Sequence, residues 1–238
     1  MKIALIGYGK MGQAIETIAL QRGHSIILKI SIDNTEDNTI ENISKADVAI
    51  EFTGPDSAFD NISKCFEAGV PVISGSTGWT DRYEEAVWNC KAQNGAFLYA
   101  SNFSIGVNIF FEVNKTLARL MASQKDYNVT IEETHHTQKK DAPSGTAITL
   151  AEQILAVSPF KKGWVNSETN KASDLQITSK RIDPAAGTHC VLYHSDTDDI
   201  EIVHTAHNRS GFALGAVLAA EFLYGQRGVF TMSDVLGL

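Results

Sequence analysis

No stretch of this 238-residue sequence approaches the roughly 18 consecutive apolar residues that a membrane span requires, so no membrane partner is expected. The opening apolar stretch runs straight into glycines, too short for a signal-peptide core, and no small-residue cleavage site follows it. Cysteine is scarce as well. Cys65, Cys90 and Cys190 are far apart, odd in number and lack C-x-x-C spacing, which argues against a disulfide framework or a zinc ribbon. They read as buried small hydrophobes in a protein of the reducing cytoplasm. Positive charge is the minority sign, with 20 Lys and Arg against 28 Asp and Glu and a net charge of −8. A general electrostatic footprint for nucleic acid is therefore not expected. Any anionic ligand must be met locally, by helix N-termini and a few particular Lys, Arg and His side chains. Repeats, low-complexity tracts and long linkers are missing too. What remains is an ordinary globular composition, 43% hydrophobic and 20% charged, long enough for one large domain or two small ones.

The first hundred residues alternate apolar runs with helical patterns. Strands are expected at Lys2–Ile6, Ser25–Ile32, Asp47–Thr53, Val70–Ser74 and Ala96–Ala100. Helices are expected at Met11–Arg22, after Pro55 up to Gly69, and over Thr80–Gln93, opened by Thr80 or Asp81. Such alternation implies crossover units and a doubly wound parallel sheet. The pattern then changes. Ser104–Ser123 reads as one long helix, and Tyr127–His136 alternates, with Val129, Ile131, Glu133 and His135 sharing a face. Thr146–Val157 is helical, and Leu175–Asp183, His189–Ser195 and Ile200–Ala206 read as strands of an antiparallel or mixed sheet. Lys161–Asp174 is the most loop-like segment, and Phe212–Tyr224 is an apolar helix expected to pack back on the first domain. The fold class is α/β: an N-terminal Rossmann-like domain over residues 1–103, joined by the C-terminal segment 210–238, and an α+β substrate domain over 104–209.

Gly7-Tyr8-Gly9-Lys10-Met11-Gly12 is a G-x-G-x-x-G set between a strand and a helix. The first glycine permits a tight turn, the second lets backbone approach a pyrophosphate, and the third allows close helix–strand packing. The helix N-terminus then offers N–H groups and a positive dipole end to the phosphates. Glycines alone also mark ordinary turns, but strand, helix, spacing and a following acid agree here. Asp33, closing the second strand, stands where a carboxylate binds ribose hydroxyls. Asn34, Thr35 and Glu36 follow it with no Arg or Lys, which favours NADH over NADPH, although Lys10 in the loop partly compensates.

The segment from Glu133 to Ala147 reads E-T-H-H-T-Q-K-K-D-A-P-S-G-T-A. It leaves a strand, carries two adjacent histidines and a lysine, and turns through Pro143-Ser144-Gly145 into a helix. A helix start at Gly145 and Thr146 is a ready carboxylate site, and Lys139 can place an ammonium beside it. Neighbouring strand residues face opposite ways, so His135 and His136 serve different purposes, and imidazole suits proton transfer near neutral pH. Read from the residues, this is a site for an anionic substrate that exchanges a proton. The bland alternative is a capped helix after a polar turn.

This segment closely resembles the signature E-x-H-H-x-x-K-x-D-A-P-S-G-T-A of the dihydrodipicolinate reductase family, and the resemblance extends over nearly the whole chain. Gly75-Ser76-Thr77-Gly78-Trp79 is similar to the family's G-T-T-G loop, and Ser101-Asn102-Phe103-Ser104-Ile105-Gly106-Val107-Asn108 to its N-F-S-x-G-V-N segment. Phe212-Ala213-Leu214-Gly215-Ala216 and Met232-Ser233-Asp234-Val235-Leu236 match its C-terminal pattern. The family reduces the dehydrated ring of 4-hydroxy-tetrahydrodipicolinate, a small dicarboxylate, to tetrahydrodipicolinate on the route to diaminopimelate and lysine.

The resemblance implies that His135 is a proton donor/acceptor, that Lys139 is a proton donor, and that His136, Gly145 and Thr146 bind the substrate carboxylates. It implies dinucleotide contacts from Gly7, Tyr8, Gly9, Lys10, Met11, Gly12, Asp33, Gly75, Ser76, Thr77, Ser101, Asn102, Phe103 and Ser104. A cytoplasmic homotetramer is the family expectation, and Arg209 lies where the family has an arginine near the substrate domain edge. Three departures stand out: a glycine loop one residue shorter than the frequent G-x-x-G-x-M-G, no basic residue after the ribose acid, and a chain shorter than many members. The first two bear on cofactor preference. Rival readings are another dehydrogenase of aspartate or homoserine type, and a dinucleotide-sensing protein without turnover. A metal at His204-x-x-His207 lacks an identifiable third ligand.

Overall fold

Lys2–Ile6 (β1) is one exposed lysine followed by four buried apolar residues, the pattern of a strand covered on both faces. It sits inside a sheet built by the same logic. In a computed structural model describing residues 1–238, the chain divides into two units, residues 1–105 with 209–238, and residues 106–208.

In the first unit β1 is followed by Lys10–Gln21 (α1), Ser25–Ile30 (β2), Ile40–Ile43 (α2) and Val48–Glu51 (β3). Then come Pro55–Glu67 (α3), Val72–Ser74 (β4), Tyr83–Ala92 (α4) and Ala96–Tyr99 (β5). After the second unit's residues the chain adds Ser210–Leu223 (α7), Gly228–Phe230 (β11) and Met232–Leu236 (α8), the last opened by a Thr231/Asp234 capping box. The six strands run β11-β5-β4-β3-β1-β2, all pairings parallel. The order reverses between β1 and β3, the switch point beside which doubly wound sheets bind ligands. One side is closed by α1 and α7, with Ala213, Ala216, Val217, Ala220 and Leu223 packed among Ile3, Leu5, Ile50 and Leu98. Glu221 clips α7 to the end of α1, accepting two bonds from Arg22 at 2.8 Å, and it also pairs with His24 at 2.7 Å.

The second unit holds Ile105–Met121 (α5, whose first residue belongs to the first unit), Asn128–His135 (β6), Gly145–Leu155 (α6), Gly163–Val165 (β7), Asp174–Arg181 (β8), Thr188–His194 (β9) and Asp199–Thr205 (β10). Its sheet runs β10-β9-β6-β8-β7 and is mixed: β6–β8 and β7–β8 are parallel, β9–β6 and β10–β9 antiparallel. The alternation along β6 is strict, so Val129, Ile131, Glu133 and His135 are buried while Thr130, Glu132 and Thr134 are half-buried. Phe110 and Ala118 of α5 and Leu150 and Ile154 of α6 join Val129, Ile131, Leu175, Ile177 and Val191 in one core.

Four expectations are corrected. β2 ends at Ile30, not Ile32, because the Asn34 side chain pulls the backbone into a turn: its amide donates to Lys29 O at 2.9 Å and its Oδ1 accepts from Ser31 N at 2.8 Å. β4 begins at Val72, since Pro71 has no N–H to give the ladder. The helix expected from Thr80 opens as a 3-10 turn, Thr80–Arg82, and becomes α-helical at Tyr83. The loop-like 161–174 segment contains β7, and the buried ammonium of Lys161 fastens it to Asn128 Oδ1 (2.7 Å), Ala172 O (2.9 Å) and Asp174 O (2.7 Å). Of the cysteines, Cys65 and Cys90 are buried, but Cys190 is half-buried and donates to Glu201 at 2.9 Å. No helix is long and apolar enough to cross a membrane.

Candidate active site

In the first unit the glycine turn follows β1 and is tied to the end of β2, with Gly7 N and Tyr8 N donating to Ile30 O at 2.9 and 2.7 Å. A Cβ on Gly7, whose φ is +102°, would lie 2.0 Å from Phe52 O, and one on Gly12 would lie 2.4 Å from Gly7 O. No side chain fits at either place, which is the packing a pyrophosphate turn needs. Gly9 caps α1 without a side-chain bond, and no acidic residue occupies the first turn, so the helix dipole meets no carboxylate there. Lys10 and Met11 begin that helix, and Tyr8 bonds Glu16. Lys29 pairs with the other Glu16 oxygen at 2.6 Å and lies over the Tyr8 ring at 4.9 Å. Asp33 is exposed in the Asn34 turn.

The loops after β3, β4 and β5 leave the same C-terminal edge of the sheet. A buried acid, Glu51, organises two of them. Its carboxylate accepts from Thr53 N (2.8 Å), from Ser74 Oγ (2.6 Å), from Ser76 Oγ (2.8 Å) and from the Thr53 hydroxyl. Gly75 N donates to Glu51 O at 2.9 Å, and Thr77 is exposed beyond Ser76. After β5, Ser101 is exposed, Asn102 accepts from Ser104 N at 2.9 Å, and Phe103 is buried with its ring 5.5 Å from Phe52.

In the second unit the residues singled out from the sequence leave the end of β6. His135 ends the strand on its buried face, and His136 follows on the other. Lys139 N donates to His136 O at 3.1 Å, and its ammonium grips both Asp141 oxygens at 2.7 and 2.8 Å. Burial works against the Asp141 carboxylate, but the Lys139 bonds hold it below its ordinary value. Ser144 caps α6, accepting from Ala147 N at 3.2 Å, and the first turn that Gly145 and Thr146 begin carries no acid.

Cross-strand register brings two more groups to His135 and its strand neighbour Glu133. Glu133 lies opposite His189 of β9, and His135 opposite Arg181 of β8. Glu133 is fully buried, accepts from Ser144 N with both oxygens at 3.1 Å, and takes a 3.1 Å bond from Arg181. His135 Nδ1 lies 3.4 Å and His189 Nε2 3.8 Å from Glu133 Oε2, while His189 Nε2 also meets Ser144 Oγ at 3.1 Å. Burial alone would raise the Glu133 carboxyl, but the bonds from Ser144, Ser179 and Arg181 outweigh it and keep the group ionised. Burial lowers His135 against the upward pull of Glu133, and burial with His135 as neighbour takes His189 down to about 3. Both rings are neutral at neutral pH.

The spacing of Glu133, His135 and His189 also matches a metal-ligand group. The Arg181 guanidinium already supplies the counter-charge on Glu133, so this reads as an acid–base cluster around a paired carboxylate. Arg181 further donates to Lys139 O (3.3 Å) and Asp141 O (2.5 Å), fixing the lysine loop. His204 packs on Phe110, ring centroids 5.9 Å apart, and lies opposite His189 in the β10–β9 register, and Arg209 stands at the N-cap of α7. Sequence reasoning gave no role to Glu51, Asp141, Arg181 or His189. For Glu133 a signal existed, an acid on the apolar face of an alternating strand.

Comparison with known proteins agrees along the full length. Residues 1–103 match the family model described as dihydrodipicolinate reductase, N-terminus, and residues 106–236 the model of its C-terminus. A 4-hydroxy-tetrahydrodipicolinate reductase of Christiangramia forsetii is 52% identical over 236 residues, covering 99% of this chain and 98% of the relative. One of Neisseria meningitidis serogroup C is 34% identical over 230 residues, 94% of this chain and 84% of the relative. Among solved structures, the dipicolinate-bound dihydrodipicolinate reductase from Paenisporosarcina sp. TG-14 shares the fold, with a TM-score of 0.76, 22% identity and 98% of each chain covered. The chain belongs to the dihydrodipicolinate reductase family and is an oxidoreductase with a doubly wound dinucleotide-type sheet and a second, mixed sheet.

Proposed function

We propose that the chain reduces the dehydrated ring of 4-hydroxy-tetrahydrodipicolinate to tetrahydrodipicolinate, using NADH in preference to NADPH. The observation that carries this reading is the β6–α6 connection. Within one short segment it sets a neutral, buried imidazole, an ammonium and a capped helix N-terminus free of acidic residues.

The side-chain-free turn at Gly7 and Gly12 and the start of α1 suit a pyrophosphate, so Gly7, Tyr8, Gly9, Lys10, Met11 and Gly12 hold the dinucleotide, with Asp33 on a ribose. Gly75, Ser76 and Thr77 and the segment Ser101, Asn102, Phe103 and Ser104 complete the cleft at the strand ends. When bound, the reduced nicotinamide supplies the hydride. Lys29, which lies over the Tyr8 ring, is already committed to Glu16, and no Arg or Lys follows Asp33 in the chain before Lys45, which supports NADH. Gly145, Thr146 and His136 bind the substrate carboxylates and fix the ring. Hydride adds to C4 of the conjugated imine, electron density moves toward the ring carbon between C4 and the imine carbon and toward the ring nitrogen, and Lys139 and His135 deliver the balancing proton. Proton delivery of this kind typically contributes about 10²–10⁴-fold. Lys139 must give up Asp141 for a substrate carboxylate or carbanion, an exchange of one anion for another. The remaining features of the reading are a cytoplasmic location and a homotetramer.

The test is to supply freshly made 4-hydroxy-tetrahydrodipicolinate and follow the absorbance of each reduced cofactor. Consumption with a higher kcat/KM for NADH supports the reading. No consumption of either cofactor refutes the activity, and a clear NADPH preference refutes the cofactor assignment.

A further inference from the structure

Glu133 is the one fully buried carboxylate of the second unit, and everything it touches belongs to the acid–base segment or to the strands beside it. A carboxylate placed in a strand core for stability alone would be an odd choice, since desolvation offsets much of what the ion pair returns. Its neighbours suggest another purpose.

The His135 ring is pinned between two surroundings. Its Nδ1 is buried, 3.4 Å from Glu133 Oε2, close enough for ion pairing but not aligned as a hydrogen bond. Its Nε2 edge faces Gly187, where a Cβ would sit 3.2 Å from Nε2 and 3.3 Å from Cδ2, so the missing side chain leaves that edge room. A lone pair on Nδ1 would face the oxygen of an anion, whereas a proton there faces an acceptor. Among the two neutral tautomers, the carboxylate therefore favours the one with hydrogen on Nδ1 and the lone pair on Nε2. Residues opposing the ring from other elements point the same way. Arg181 of β8 neutralises Glu133 through its other oxygen, His189 of β9 meets the ring edge-on at 5.1 Å, and Lys139 and Asp141 face it from the following loop.

Resting on the reading of His135 as the proton donor/acceptor, we infer that Glu133 is a positioning residue that sets the tautomer of His135 and stabilises its protonated form during turnover. The same carboxylate accepts from Ser144 N, so one side chain aligns both the proton-transfer ring and the start of α6. His189 braces the arrangement through Ser144 Oγ.

The account is tested first on the unmodified protein, by nitrogen NMR of the histidine rings with a His135→Gln spectrum to assign the signal. Neutral His135 is expected as the Nδ1–H tautomer, and an Nε2–H tautomer overturns the inference. The second test compares Glu133→Gln with Glu133→Asp, each checked for folding by its thermal transition. Glu133→Gln is expected to lower kcat at least about tenfold with KM for NADH within about twofold. It is also expected to move the His135 titration down by about half a pH unit or more, since a negative neighbour is lost. Glu133→Asp recovers part of both. A fall in kcat with an unmoved His135 titration means a merely structural role and overturns the proposal. Should His135→Gln itself leave kcat and the pH profile unchanged, the proton-transfer reading of His135 fails instead.

Discussion

At neutral pH His189 is an uncharged ring in a strand core, its proton affinity lowered by burial from 6.5 to about 3. Unfolding returns the ring to its ordinary value, so the unfolded chain takes up the extra proton as pH falls. Stability supported by this group is complete above about pH 6.5 and is lost progressively toward pH 3; the depressed values of His135 and His204 act in the same direction. Urea unfolding between pH 7 and pH 4 is expected to show that loss, and His189→Gln to flatten part of the slope. An unchanged slope in the variant would remove His189 from the explanation. Lys139 belongs to the same scale. Lys139→Ala is expected to reduce kcat by about 10²–10⁴-fold, while NADH affinity, followed by fluorescence titration, stays close to that of the unaltered protein. Undiminished turnover would contradict its role. His135 and Lys139 stood out as candidates in the sequence because types and spacing within one segment single them out. Arg181 and His189 did not, because only the register β8-β6-β9 brings them to Glu133, and register over such separations leaves no mark in local sequence.

Elements with a full period of apolar residues were read close to their observed limits. β1 was placed residue for residue, and α1, α5 and α7 to within two residues at each end. β7, β11 and α2 escaped notice because their three or four residues sit in polar surroundings, with no longer apolar run such as the one at Val70–Ser74 that marked β4. Where β2 and α4 differed from expectation, a local device decided: the Asn34 side chain closed a turn, and a 3-10 turn preceded the helix. Two element-scale predictions follow from capping and burial. Ser144→Ala removes the α6 cap and the bond to His189, and is expected to cost about 1–2 kcal/mol in urea unfolding. Glu51→Ala leaves Ser74 Oγ and Ser76 Oγ without their acceptor and Thr53 N with Ser76 Oγ alone, with an expected cost of about 2–4 kcal/mol and weakened NADH binding. Stability within a few tenths of a kcal/mol of the original would show that water replaces the carboxylate there.

For the whole molecule, a chain of net charge −8 that handles an anionic cofactor and a dicarboxylate has to concentrate its positive potential. Two helix N-termini free of acidic residues, α1 and α6, and a few cations held in ion pairs are the places that the proposed function assigns to that potential. The overall plan, a parallel sheet followed by a mixed one, was visible in the change from regular strand–helix alternation to grouped strands. Saturating NADH, at about a hundredfold its Kd, is expected to add about 2.7 kcal/mol and raise Tm by roughly 5–10 °C. The central claim is direct delivery of hydride to the substrate ring with a proton from the His135–Lys139 segment. It is tested most directly with NADH carrying deuterium at the transferring position of C4. The account predicts that deuterium appears at ring C4 of tetrahydrodipicolinate, with a solvent-derived proton on the ring carbon between C4 and the imine carbon. Loss of the label to water, or its appearance at any other carbon, would contradict it.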